Sequence, residues 1–359
     1  MNFVFIAVVV LAATLLYLYR RLSSKTSAET EQEMADDGQL RIAEKTAQQW
    51  LSKFTADDAH IVVGDVHREM QLHALYSITR TNYGDFFEDD ERRMEMLRLQ
   101  KIMMSEVQAK YNDPHCPMSE QCKRANADAY ALMERLIEHR KSESGQTHTE
   151  LVDTLMNFYI GGHETTSILM SRLLYFLAGG HDVEPEVQEN VYKEMVEVIG
   201  SDPDTQPITP YHTEKLKYLR AVIEETLRVA SMATFVGRNT MDKPLKLGAF
   251  VIPPWTAVLQ DFETASRDEK YFPSPHKFEP ERFMGKKRPT PLACPRFGFA
   301  GGRQCPGKQF TYAETITLMS VLVRKFQFEL AAPGERVEQF FHAIAYPAGK
   351  IALKVTKRS

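Results

Sequence analysis

The chain holds 359 residues, 43% of them apolar and 26% charged, with a formal net charge of −4. This balance excludes a disordered or fibrous protein. It also argues against nucleic acid as the main partner, and four cysteines are too few to staple a body of this length.

In chain order, Phe3 to Tyr19 is apolar or aromatic apart from Thr14, at the short end of what spans a hydrocarbon core. Arg20, Arg21 and Lys25 follow at once, so the positive-inside rule places the body in the cytosol. Residues 1–22 therefore read as a transmembrane anchor, 23–42 as a polar linker and 43–359 as the body. Apolar spacing predicts helices over 43–54, 65–83, 91–111 and 126–140. Between the last two, Cys116 and Cys122 lack a second ligand pair at zinc-finger spacing and read as loop residues. The longest pattern runs from Glu150 to Ala178, with Leu151, Leu155, Phe158, Leu169, Leu173 and Phe176 on one broad side. Gly179-Gly180 ends it. Helices over 185–199 and 211–230 come next. Leu245 to Val258 suits short strands and turns, 273–295 a proline-rich coil, and 343–355 a strand. A last helix starts near Pro306. The fold class is mainly α with a minor β region.

The most informative stretch is Phe297-Gly-Phe-Ala-Gly-Gly-Arg-Gln-Cys305-Pro-Gly307. Its glycines permit close approach to a flat ligand, and a helix start beside Cys305 favours a thiolate. Arg303 adds positive charge. A thiolate in such a loop suits an axial ligand of haem iron, the ligand that favours O–O cleavage. Cys116, Cys122 and Cys294 have no such surroundings and read as inert.

Gly301-x-Arg303-x-Cys305-x-Gly307 resembles the haem-ligand signature of the cytochrome P-450 monooxygenases. Glu225-Thr226-Leu227-Arg228 resembles that family's Glu-x-x-Arg motif, and Pro280-Glu281-Arg282-Phe283 its arginine-bearing partner segment. Gly161-Gly162-His163-Glu164-Thr165-Thr166 resembles its oxygen-activating helix motif. The resemblance implies a partial cytochrome P-450 fold behind one membrane helix, at the endoplasmic reticulum. Cys305 would ligate haem iron, with Gly301, Arg303 and Gly307 shaping the haem contact. Glu164 and Thr165 would relay protons, and Glu225, Arg228 and Arg282 would form a buried triad bracing the cysteine loop. Arg238 is either a propionate partner or a surface arginine. The basic run Lys286, Lys287, Arg288, Arg296 and Lys308 is either a solvated face or the dock of an electron-donating flavoprotein.

The implied reaction inserts one atom of O2 into an apolar small molecule, with electrons from a reductase. Two departures accompany the resemblance. Gly298 stands where the signature has phenylalanine, with Phe297 and Phe299 on either side. The early sheet and helices also have no counterpart: the tryptophan–arginine pair expected four apart is Trp50–Phe54 and Trp255–Leu259. The body therefore reads as incomplete on its N-terminal side. A truncated, non-catalytic haem-binding or interaction protein is the alternative. An isomerase or dehydratase using the same haem is disfavoured by the acid–threonine pair.

Overall fold

A computed structural model describes residues 37–112, 116–140, 147–285, 288–290, 293–298, 304–334, 336–342 and 344–358. The expected anchor lies outside them. Among the described residues no helix is long and apolar enough to cross a membrane.

Helix α1 (Asp37–Leu51) begins within the stretch expected as linker. Strand β1 (Ile61–Val63) leads to α2 (Val66–Tyr83), which starts where the Asp65 carboxylate accepts the Arg68 amide at 3.0 Å. It stops at Gly84, whose φ of +65° suits glycine. Helices α3 (Asp90–Asn112) and α4 (Glu120–Arg140) follow. The long α5 (His148–Leu177) opens on a capping box in which Thr147 and Glu150 satisfy each other's backbone amides. It closes before Gly179, at φ +86°.

After α6 (Pro185–Val198), the single helix predicted over 211–230 is two, α7 (Pro210–Thr213) and α8 (Lys217–Val229). The break has a tertiary cause. The Glu194 carboxylate of α6 accepts the Tyr218 and Leu219 amides at 2.6 and 2.9 Å, capping a new helix from outside its own sequence.

Two antiparallel pairs come next: β2 (Phe235–Asn239) with β5 (Ala257–Asp261), and β3 (Leu245–Leu247) with β4 (Phe250–Ile252). Leu247, Phe250, Val251, Trp255 and Leu259 are exposed on them. A short α9 (Phe262–Ser266) and a proline-rich coil with one 3-10 turn, Pro280–Phe283, reach α10 (Lys308–Lys325). Strands β6 (Phe326–Leu330), β7 (Gln339–His342), β8 (Ile344–Pro347) and β9 (Leu353–Lys357) finish the chain. The sequence reading missed β1, β2, β6 and β7; β6 alternates buried and exposed residues but follows α10 without a break. It merged β8 and β9 into one strand.

The three-stranded sheet runs β1-β9-β6, all antiparallel, and so joins the first described strand to the last. Its inward residues Ile61, Val63, Phe326, Phe328, Leu353 and Val355 are buried. Trp50 of α1 seals them, its ring 6.0 Å from Phe326 and 6.3 Å from Phe328. Helix α5 links this main core to a second one, formed by Leu75, Met96, Leu97, Leu132 and Met133 with its own Val152, Met156 and Tyr159.

Helix α10 carries an unusual polar group into the main core. Glu314 is fully enclosed, with neither carboxyl oxygen hydrogen-bonded; the nearby Ser77 hydroxyl makes no full bond with it. His73 Nε2 of α2 lies 4.0 Å away, and its Nδ1 meets Thr46 Oγ1 of α1 at 2.8 Å. Burial pushes the Glu314 carboxyl well above its ordinary 4.5 and the His73 imidazole down to about 3, favouring the neutral form of each.

Below pH 4.5 the folded and unfolded chains both protonate Glu314. Above it only the unfolded chain releases the proton, so stability falls by about 1.4 kcal/mol per pH unit up to the folded pKa. Glu314→Gln is expected to melt above the unmodified protein at pH 8, with a difference that shrinks toward pH 5. His73 opposes folding below pH 6.5 in both proteins. Melting curves across this range check the prediction, and parallel profiles would contradict it.

Candidate functional site

The site is organised around α8. Glu225 and Arg228 lie three apart, on one helix face, and both are buried. The pair is bidentate: Arg228 Nε donates to Glu225 Oε2 and Nη2 to Oε1, each at 2.7 Å. The remaining guanidinium protons go to the carbonyls of Ser266, Pro275 and Lys277 at 3.1, 2.6 and 3.1 Å. Glu225 Oε1 also accepts the Glu279 amide at 2.8 Å and lies 3.4 Å from Arg282 Nε. Arg282 Nη2 meets Glu279 Oε2 at 2.7 Å. The three sequence-predicted residues thus come together. They gather the carbonyls of the proline-rich coil, which has no regular structure to satisfy them.

Contact with the cysteine loop comes from a residue the sequence reading passed over, Glu224. Its carboxylate pairs with Arg296 and accepts the Tyr312 hydroxyl of α10. Arg296 is therefore tied inward, and the expectation of a solvated or docking role for it is corrected. The acidic doublet Glu224-Glu225 was the available signal.

Beyond Arg296, Gly298 adopts φ +81°, which explains a glycine where the resemblance has phenylalanine. The Phe297 carbonyl accepts the Cys305 amide at 2.8 Å, and the Phe297 ring lies 5.4 Å from Tyr312. Phe299, Gly301 and Arg303 lie outside the described residues, as do Lys286 and Lys287. Gly307 is the N-cap of α10, so the helix begins at Lys308 and Pro306 stays in the preceding turn. Lys308 Nζ stands 5.9 Å from the Phe297 ring centre.

The cysteines divide clearly. Cys294 is buried, and Ser266 Oγ donates to its sulfur at 3.2 Å. Cys122 is also buried, Cys116 is half-buried, and Cys305 is the exposed one. Desolvation nevertheless pushes the Cys305 thiol above its ordinary value, against the smaller opposing effect of the Gly307 and Lys308 amides and the Lys308 charge. The helix start, expected to favour a thiolate, contributes less than burial here, because Cys305 precedes the first turn of α10. A thiol that solvent reaches, but that protein atoms crowd, ionises when a metal cation binds it. That donor chemistry fits a haem iron.

On α5, the two motif glycines do different work. A Cβ at Gly161 would meet nothing within 4 Å, which leaves room for a flat ligand against the helix. A Cβ at Gly162 would sit 2.4 Å from Ile78 Cδ1, so that glycine serves the packing of α2 and is removed from the ligand-facing pair. Thr165 is half-buried, and its Oγ1 donates to the Gly161 carbonyl at 2.9 Å. Glu164 is buried instead, and accepts from Gln71 Nε2 at 3.3 Å and from the Tyr346 hydroxyl. His163 is buried beside it, Nε2 at 3.6 Å, and holds the Tyr159 carbonyl through Nδ1. The acid and the hydroxyl therefore belong to different sides of one helix. Arg238 is exposed on β2, where its Nη1 donates to the Gly237 carbonyl at 2.8 Å.

Glu225→Gln leaves a buried guanidinium without its counter-charge and is expected to cost about 3–5 kcal/mol in urea unfolding. In the same assay Gly162→Ala should lose about 1–3 kcal/mol by overpacking against Ile78. Gly161→Ala should instead gain up to about 1 kcal/mol of helix propensity.

Comparison with known proteins gives these features a family. The profile of the family described as Cytochrome P450 matches residues 42–355. Cytochrome P450 20A1 of Rattus norvegicus is 30% identical over 307 residues, covering 80% of this chain and 62% of the relative. Its Homo sapiens namesake is 27% identical over 339 residues, covering 89% and 69%. Protopanaxadiol 6-hydroxylase of Panax ginseng is 28% identical over 220 residues, covering 60% and 45%. The chain thus spans between under half and just over two thirds of the length of these three relatives. A match over nearly the whole described body, with an open cysteine at the start of α10, makes this chain a member of the cytochrome P450 family.

Proposed function

We propose that the protein is a haem-thiolate monooxygenase that inserts one oxygen atom from O2 into an apolar organic substrate, with electrons from a flavoprotein reductase. Cytochrome P450 proteins bind haem iron through a cysteine thiolate. The observation that carries the reading here is Cys305: exposed, in a loop fastened by its own amide to Phe297, and braced through Arg296 to Glu224. When bound, haem supplies dioxygen activation and oxygen transfer.

The chain's own residues supply the rest. Cys305 would hold the iron through its thiolate. The open step at Gly161 admits a planar group against α5. Thr165 Oγ1 can exchange its bond to the Gly161 carbonyl for one to a polar group at the open face. Glu164, buried against Gln71 and Tyr346 on another side of α5, is the second member of the relay, its path to that hydroxyl running around the helix. Gly301, Arg303 and Gly307 belong to the haem contact, and Arg238, exposed on β2, is the candidate propionate partner. Lys308 and Arg288 remain for an acidic electron donor once Arg296 is assigned to Glu224. The apolar run from Phe3 to Tyr19 anchors the body at the endoplasmic reticulum membrane, with the catalytic part in the cytosol.

The carbon monoxide difference spectrum of reduced, haem-loaded protein tests the assignment. A thiolate-type band should be present in the unmodified chain and in Cys294→Ala, and absent in Cys305→Ala. A band that survives loss of Cys305 would overturn the ligand. Failure of the unmodified chain to take up haem would overturn the enzyme reading in favour of a non-catalytic member of the family.

A further inference from the structure

Strands β2 to β5 are consecutive runs of one β-arm over 235–261, turned at its tip by Gly248-Ala249, with Gly248 at φ +59°. Between its two ladders the arm stays joined. The Thr240 amide donates to the Thr256 carbonyl at 3.1 Å, and the Trp255 amide to the Met241 carbonyl at 2.7 Å. Among the described residues no third strand pairs with either ladder. A two-stranded hairpin is marginal in water unless another surface packs on it. The tip of this one is also apolar. Register sets Leu247 opposite Phe250 and Leu245 opposite Ile252. Residues two apart share a face of a strand, so these four form one uncharged face, with Lys246 and Val251 on the other.

Phe250 and Trp255 are 73% and 67% exposed. With its other exposed apolar side chains the arm bares on the order of 700 Å², above the largest patch of a typical monomer. Two copies packed arm to arm would bury on the order of 1,400 Å², the size of a stable specific interface. Charge points the same way. Asp242 stands beside Lys243 and Lys246, so the rim offers both signs, as a surface that meets its own copy requires. Proline selects the mode of contact. Pro244 precedes β3, and Pro253 and Pro254 follow β4; lacking amide donors, they deter strand addition along the edges and leave the faces. We propose that the arm is a homodimer interface, in which the Leu245, Leu247, Phe250 and Ile252 face of one copy packs on the same face of a second across a two-fold axis.

Sedimentation velocity of the full chain in a nonionic detergent, from about 0.5 to about 50 μM protein, tests the assignment, with a dimer expected at the upper end. Leu247→Asp and Phe250→Asp, both exposed in the single copy, should each weaken dimerisation at least about thirtyfold. Val62→Asp, exposed on β1 outside the arm, should not change it. Amide hydrogen exchange over 245–252 should slow about tenfold or more as the dimer fills, and stay fast in Phe250→Asp. A chain monomeric over the whole range, or a dimer whose 245–252 amides exchange as in the monomer, would overturn the proposal. Protection of those amides at every concentration would also overturn it, by assigning the face to the chain's own residues. Protection confined to phosphatidylcholine nanodiscs holding one copy each would do so by assigning it to lipid.

Discussion

Two consecutive carboxylates on α8 hold the later half of this protein together. Side chains at adjacent helical positions point about 100° apart, so Glu224 and Glu225 reach different targets from one turn. Glu225 faces inward to Arg228, Arg282 and the Glu279 amide, and through them fixes a coil that no sheet or helix would otherwise order. Glu224 faces the cysteine loop and draws Arg296 and Tyr312 to itself. Burying an ion pair ordinarily costs more than it returns. Here the cost is offset because the Arg228 guanidinium donates to both carboxylate oxygens and to three main-chain carbonyls.

The same economy governs α5. Its C-terminal half is buried on nearly every side, from Ile168 to Leu177, while its N-terminal half packs one flank on the second core. Near the change of regime sits the motif 161–166, where the helix has both an open step and a closed one. Gly161 meets nothing and Gly162 meets Ile78, so one glycine leaves space and its neighbour consumes it. Thr165 shares the side of Gly161, four residues on, whereas Glu164 turns toward α2 and β8. Proton traffic between them would have to pass around the helix, and Glu164 is already in the company of Tyr346, Gln71 and His163.

Most helices were legible because they carry their own signals: Asp65 before α2, Thr147 and Glu150 at the head of α5, Gly179 behind it. The triad was legible because Glu225 and Arg228 share a face and Arg282 sits in its own recognisable segment. What escaped was set by partners distant in sequence. The division of 211–230 depends on Glu194 of a preceding helix, and the role of Arg296 depends on Glu224, 72 positions earlier. Strands of three residues, such as β1, have too few positions to display alternation, and exist here because β9 is present to pair with them.

From sequence alone came the number and order of motifs, the identity of Cys305 as the cysteine set apart, and a body that is chiefly helical. These are local properties, carried by spacing, by glycine and proline, and by charge at helix ends. Tertiary structure alone decided which side chains meet a partner: that Arg296 turns inward, that Gly162 belongs to packing, and that Glu314 is enclosed without a hydrogen bond. Convergence and burial depend on contacts between segments far apart in the chain, and no local pattern encodes them.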